Sequence, residues 1–293
     1  MQAQTRRIIA EAVGLDADEA RLSPVTGGDI AASYRLEDGN RAIFVKCLPP
    51  SERAVLGAEQ DGLSRIAATN TVRVPSVHAS GCDEVAWLAL ELLELRSATD
   101  AAFALLGKQL ANLHAHCCEA KEVFGLERDN FIGATPQPNT RECDWTEFFF
   151  THRIGYQLDL LAERGERFER GDTNRLRAGW ETRFPDHAPD ASLLHGDLWG
   201  GNAAMLGDGT PVIFDPAVHH GDRECDLAMA RLFGGFGESF FAAYDRAWPL
   251  PDGWRQRLPY YQLYHVLNHA NLFGGAYLAR SRRLIDELAS GSE

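Results

Sequence analysis

The chain reads as an α+β protein of two lobes, a small N-terminal antiparallel β lobe with one key helix and a larger, mostly helical C-terminal lobe. Three observations lead there. Short apolar runs crowd residues 1–95, and Asp38-Gly39 between two of them is a hairpin turn signal. From Thr99 onward the apolar residues recur at helical spacing. The 293 residues suffice for a core in each lobe. The expected units are residues 1–95 and 96–293, joined by a hinge over 91–96.

Element by element, residues 1–12 form a first amphipathic helix, and 31–36 and 41–48 form the two strands around Asp38-Gly39. Ser51 can cap a helix that carries Glu59 and runs to about Ala68. Two more strands are expected over 75–79 and 85–92, with a turn at Gly81-Cys82-Asp83. Thr99 caps a long helix reaching about Glu119, and a polar, proline-bearing loop follows over 130–144. Helices are expected from Trp145, carrying Phe148, Phe149, Ile154, Leu158 and Leu161, and over 173–183. A hairpin over 202–214 turns at Gly207-Asp208-Gly209, and helices cover 224–232, 237–247 and 259–288.

Composition narrows the class. Apolar content of 45% and charged content of 24% are those of an ordinary globular protein. A formal charge of −13 argues against nucleic-acid binding, which draws on excess Lys and Arg. No apolar run approaches the ~20 residues that span a bilayer, so no membrane partner is expected. The N-terminus lacks an apolar signal core, and none of the six cysteines forms a C-x-x-C pair. Reduced thiols in a cytoplasmic protein are therefore expected. Cys117 and Cys118, near His114 and His116, fit no zinc spacing and read as helix residues.

The chemistry concentrates in His195-Gly196-Asp197-Leu198-Trp199-Gly200-Gly201-Asn202 and the later Asp215-Pro216-Ala217. Asp197 and Asn202 stand at the spacing H-x-D-x-x-x-x-N of a kinase catalytic loop, with a second Asp further on. Phosphoryl transfer needs this set. Asp197 orients a hydroxyl and takes its proton, while Asn202 and Asp215 offer oxygens to Mg²⁺. His195 reads as a support for the loop. Upstream, Lys46 ends the apolar run Ala42-Ile43-Phe44-Val45-Lys46, and Glu59 on the next helix can pair with it.

Other features are weaker. Thr26-Gly27-Gly28-Asp29-Ile30-Ala31-Ala32-Ser33 lies where a phosphate-covering turn belongs, with Gly27, Gly28 and Ser33 as phosphate contacts, but it is not G-x-G-x-x-G. A plain hairpin turn is the alternative. His265 and His269 form an i, i+4 pair without a following Glu or an evident third ligand, and read as packing. His219-His220 reads as a loop feature.

These residues resemble the fructosamine kinase (ketosamine-3-kinase) family, in the aminoglycoside phosphotransferase-like branch of the protein-kinase fold. The likeness rests on residues 195–202 with Trp199 inside them, on Asp215-Pro216-Ala217 and Gly221-Asp222-Arg223-Glu224, and on Asp226-Leu227-Ala228-Met229 and Phe233-Gly234-Gly235-Phe236. It extends to Phe131-Ile132-Gly133, Asp144-Trp145 and Leu267-Asn268-His269, and so spans most of the chain. The resemblance implies ATP- and Mg²⁺-dependent phosphorylation of the 3-hydroxyl of ketosamines, free or protein-bound, after which the amine is released. It implies Asp197 as base, Asn202 and Asp215 as metal ligands, and Lys46 and Glu59 as ATP-positioning residues. It further places adenine at the backbone around Glu91 and Leu93, and Trp199 at the sugar. Asp226 would brace the loop, and Asp222 and Glu224 could meet a substrate amine or else make surface hydrogen bonds.

One departure is visible. Asp29 stands where many family members carry a glycine-loop Cys linked to disulfide dimers, so that redox switch is not expected. Two alternatives stay open: a kinase for an aminoglycoside or choline-like alcohol on the same fold, and an inactive nucleotide-binding regulator.

Overall fold

The computed structural model describes residues 3–25, 31–116, 123–166, 168 and 170–290. Helix α1 (Ala3–Ala12) packs Ile9 and Ala10 onto one face of an antiparallel sheet. That sheet contains β1 (Arg21–Pro24), β2 (Ala32–Glu37), β3 (Ala42–Leu48), β4 (Val77–Cys82) and β5 (Ala86–Glu91), in the order β1-β2-β3-β5-β4. The hairpin between β2 and β3 is set by Asp38, whose Oδ1 accepts the N–H groups of Asn40 and Arg41, each at 2.9 Å. Strand β1, ahead of the glycine-bearing turn, was given no bounds from the sequence. It is short, largely exposed and ends in Pro24, so it carries no alternation to read.

Side-chain alternation along β3 decides which face each residue serves. Ile43, Val45 and Cys47 join the cluster under α1, while Phe44 and Leu48 pack on the opposite side, the side of helix α2 (Arg53–Ala68). Lys46 shares that second face by its parity. Helix α2 begins one residue later than a cap at Ser51 suggests. A 3₁₀ turn over Pro50–Glu52 contains Ser51, and no side chain caps the helix start. Strand β4 runs on through Cys82, and the turn falls at Asp83, whose N–H donates to Val85 O.

In the second lobe, Thr99 does cap α3 (Asp100–Ala115), accepting the Ala102 N–H at 3.2 Å. Residues 117–119 of the expected helix, Cys117 and Cys118 included, lie outside the described residues. The segment expected as a plain loop holds a small hairpin, β6 (Asn130–Ile132) and β7 (Thr135–Gln137). Asp144 caps α4 (Trp145–Phe149), which continues through a π-helical turn (Phe150–Gly155) into α5 (Tyr156–Glu163). The buried Arg153 lies in that widened turn and donates to Pro138 O and Asn139 Oδ1. Helix α6 (Arg170–Arg183) and strand β8 (Ser192–Leu194) follow.

Strands β9 (Ala203–Met205) and β10 (Pro211–Ile213) make the expected hairpin, and β11 (His219–Gly221) pairs antiparallel with β8. The remaining helices are α7 (Glu224–Leu232), α8 (Glu238–Ala247), α9 (Trp254–Phe273) and α10 (Ala276–Ser290). The last two were expected as one helix. Gly274 and Gly275 both take positive φ, 62° and 56°, which breaks the helix there. No described helix is long and apolar enough to cross a membrane.

One core is aromatic and lies wholly in the second lobe, around Trp145, Phe148, Phe149, Trp180, Tyr260 and Tyr261. Another crosses the boundary drawn at residue 95. It joins Leu48, Leu63 and Leu88 to Leu106, Leu110, Ile213 and Phe240. With a shared core, the chain should unfold in a single transition. Leu110→Ala should lower stability by about 2–5 kcal/mol while keeping that transition single. Two separated transitions in a denaturant titration would contradict this.

Candidate active site

The site is assembled from four segments. Strand β3 presents Lys46 on the face toward α2, and α2 presents Glu59. Lys46 Nζ donates to Glu59 Oε1 at 2.8 Å and to Asp215 Oδ1 at 2.5 Å. Burial alone would lower the lysine's pKa, but the two carboxylates outweigh it and hold the ammonium protonated above the usual range. A close approach makes this convergence possible. A Cβ on Gly62, one turn after Glu59, would stand 3.0 Å from the Pro216 ring, so α2 rests directly on the residue following Asp215. Asp215 itself has φ 58°, unusual for a non-glycine residue and a conformation found at ligand-holding turns.

Asp197 sits on the loop between β8 and β9. Asn202 Nδ2 donates to its carbonyl at 2.9 Å and to its Oδ2 at 3.3 Å, spanning the loop. Burial, with Asp215 close by, pushes the Asp197 carboxyl up to about 7. That is the range in which a carboxylate is most effective as a base near neutral pH. Only glycine fits at Gly196. Its φ is 81°, and a Cβ there would meet Ala217 O at 2.1 Å. The same contact brings His195 O to the Ala217 N–H at 2.8 Å, tying the loop to Asp215-Pro216-Ala217.

The loop hangs from Asp226, on α7. Its carboxylate accepts the N–H groups of His195 and Gly196 at 2.7 and 2.8 Å and faces His114 Nε2 at 3.0 Å. Burial would raise this carboxyl, yet His114 and the backbone donors keep it below the usual range. His195 is also fully buried. Its Nε2 donates to Phe214 O at 3.0 Å, and its Nδ1 accepts the Asp197 N–H at 3.3 Å. Burial holds the imidazole neutral, so its place is structural.

Other expected residues are placed less directly. Ser33 stands opposite Lys46 in the β2–β3 register, with its hydroxyl donating to Ala31 O at 3.4 Å. Gly27, Gly28 and Asp29 lie outside the described residues. Glu91 ends β5. Its carboxylate is gripped by Arg73 NH2 at 2.5 Å to both oxygens, and its N–H donates to Ser76 O. The chain then passes Leu93 and is pinned again where Arg96 and Met205 exchange backbone hydrogen bonds. Trp199 is partly exposed beside the loop.

Asp222 and Glu224 do not meet the expectation that they face a substrate amine. Both are 1% exposed. Asp222 accepts from Tyr261 OH at 2.5 Å and lies 2.7 Å from His187 Nε2, while Glu224 takes two donors from Arg257. A carboxylate already paired and shut from water has nothing to offer a ligand. His187, Asp222 and Glu224 also form a cluster with metal-like spacing, and the same pairings occupy it. His269 Nδ1 donates to His265 O at 2.8 Å, a packing arrangement like the one expected for that pair.

A buried amide network was missed by sequence reasoning. Asn130 Nδ2 donates to Val218 O and Gln137 Nε2 to Ala217 O, and Tyr264 OH donates to Gln137 Oε1. These residues support the segment after Asp215 from below. The sole sequence signal was the polar tract over 130–144, which looks like an ordinary loop.

Asp226→Asn removes the charge and turns an amide toward backbone donors. It should cost about 1–3 kcal/mol of stability and lower turnover. Unchanged denaturation midpoint and turnover would remove Asp226 from this role.

Comparison with known proteins agrees with this geometry. The family model described as fructosamine kinase matches residues 1–290. A "probable ketoamine kinase" of Vibrio cholerae is 42% identical over 284 residues, covering 96% of this chain and 97% of the relative. A solved structure from Thermobifida fusca, assigned as a fructosamine-3-kinase, superposes with a TM-score of 0.84 at 31% identity and covers all of both chains. A choline kinase from Streptococcus pneumoniae, 18% identical with a TM-score of 0.66, covers 98% of this chain and 99% of its own and shares the kinase-like fold alone. With a buried lysine clamp, a braced Asp197 loop and a family match over nearly its whole length, this chain belongs to the fructosamine kinase family.

Proposed function

We propose that this chain transfers the γ-phosphoryl group of ATP to the 3-hydroxyl of a ketosamine. The observation that carries the reading is the meeting of Lys46, Glu59 and Asp215 beside Asp197, from segments far apart in sequence. The family supplies the acceptor class.

Lys46, fixed by Glu59, would hold the α- and β-phosphates of ATP. The backbone near Glu91 and Leu93 would receive the adenine. Asp197 would accept the proton of the sugar hydroxyl as its oxygen bonds to the γ-phosphorus and the bond to the ADP oxygen breaks. In a loose transition state this alignment counts for more than strong basicity. Trp199 would line the sugar.

The donor set fits Mg²⁺. Asn202 and Asp215 supply hard oxygens, and Glu59, Asp197 and Asp215 set three carboxylates against the single Lys46 ammonium. When bound, Mg²⁺ would neutralise phosphate charge and orient the transferred group. Loss of the amine from the 3-phosphorylated adduct would make the reaction a deglycation step.

Phosphorus NMR of the protein with Mg-ATP and a panel of ketosamines should show a 3-phosphate ester. Transfer to aminoglycosides or choline alone would overturn the reading. Asp197→Asn should leave ATP binding nearly intact and cut turnover by about 10²-fold or more. Lys46→Met should raise the KM for ATP and lower turnover, and an unchanged rate at limiting ATP would contradict its assigned contact.

A further inference from the structure

Beside the catalytic loop runs a strip of aromatic rings. Trp199 lies two residues beyond Asp197 and is 38% exposed. Its ring meets Phe233 edge-on at 6.4 Å, and Phe233 lies 4.7 Å from His269. His269 in turn lies 5.6 Å from Phe273 and 5.1 Å from Tyr277. Phe273 is 59% exposed, more than any other large hydrophobic residue among those described. The rings come from the catalytic loop, the end of α7 and the junction of α9 with α10.

Tyr277 packs against the aromatic core, but two observations set the rest of the strip apart from folding. Trp199 and Phe273 belong to none of the buried core clusters. The strip is also locked to the loop. A Cβ on Gly201 would lie 2.3 Å from the Trp199 ring, so the indole packs directly against that glycine. A Cβ on Gly235, just beyond Phe233, would meet the Gly200 Cα at 2.8 Å, so the two turns touch backbone to backbone. His269 completes the row as a neutral ring, kept so by burial and by nearby Arg280.

We propose that Phe233, His269, Phe273 and Tyr277 form a subsite for the amine substituent of the acceptor, selecting apolar or aromatic groups. This rests on the ketosamine kinase reading. With the 3-hydroxyl at Asp197 and the sugar on Trp199, the amine at the first carbon is a few bonds away. A substituent that left the sugar on the Phe233 side of Trp199 would meet these rings. Exposed rings held at fixed spacing accept a further ring by stacking or edge contact, at little ordering cost to the protein.

The test compares two acceptors with the same sugar, the fructosamines of methylamine and of phenethylamine, on the wild type and on Phe273→Ala. Phe273 is exposed and outside the core, so the variant should fold. The wild type should prefer the phenethylamine adduct through a lower KM. Phe273→Ala should raise that KM about fivefold to tenfold, the worth of an aromatic contact. It should leave kcat, the KM for ATP and the methylamine adduct within about twofold of wild type. Turnover of both adducts with no preference in the wild type, or with both or neither affected by the variant, overturns the subsite while the kinase reading stands. If the wild type phosphorylates neither adduct, nor the ribulosamines and erythrulosamines of the same two amines, both readings fall.

Discussion

The cleft depends on one buried ammonium. Lys46 leaves the sheet on the side of α2 and there finds two carboxylates, Glu59 from that helix and Asp215 from beyond β10. A lysine this buried would be costly if unpaired, so the ion cluster fixes how the strand, the helix and the Asp215 segment sit. The seating of Gly62 on Pro216 makes the same demand sterically. The site gathers more carboxylates than cations, the setting in which the proposed Mg²⁺ and phosphates would be accommodated.

Opposite that cluster, Asp226 does for the backbone what Lys46 does for side chains. It collects two loop N–H groups and a histidine, so the loop bearing Asp197 hangs from α7 and α3 at once. The floor of the cleft is thereby rigid, whereas its outer edge at Trp199 is open and aromatic. A reaction that relies on alignment benefits from the first, and the proposed acceptor subsite draws on the second.

Much of this was legible in the residues. The spacing from His195 to Asn202 and on to Asp215 marks a phosphoryl-transfer loop because the groups lie close together in sequence and their order is chemically constrained. Asp38-Gly39 and Thr99 mark a turn and a cap because each acts on its own neighbours. Strands β6, β7, β8 and β11 were not legible. At three residues each they show no period, and their pairing is decided by distant segments. Asp222 and Glu224 misled for a related reason. A charged pair in a Gly-Asp-Arg-Glu string looks like surface, and nothing local reveals Arg257, His187 and Tyr261 waiting to bury it.

The order of residues along the chain was thus enough to indicate a mixed α+β architecture and the reaction type, and to single out Asp197 as the candidate base, since each rests on local spacing or on residue chemistry. Folding was needed to choose partners. It brought Asp215 to the ammonium that Glu59 was expected to meet, gave Asp226 the particular backbone amides it holds, and ran one core through both lobes. It also lined up Trp199, Phe233, His269 and Phe273, residues that no sequence period connects. Contacts between distant segments are set by how the whole chain packs, and a linear pattern carries no record of them.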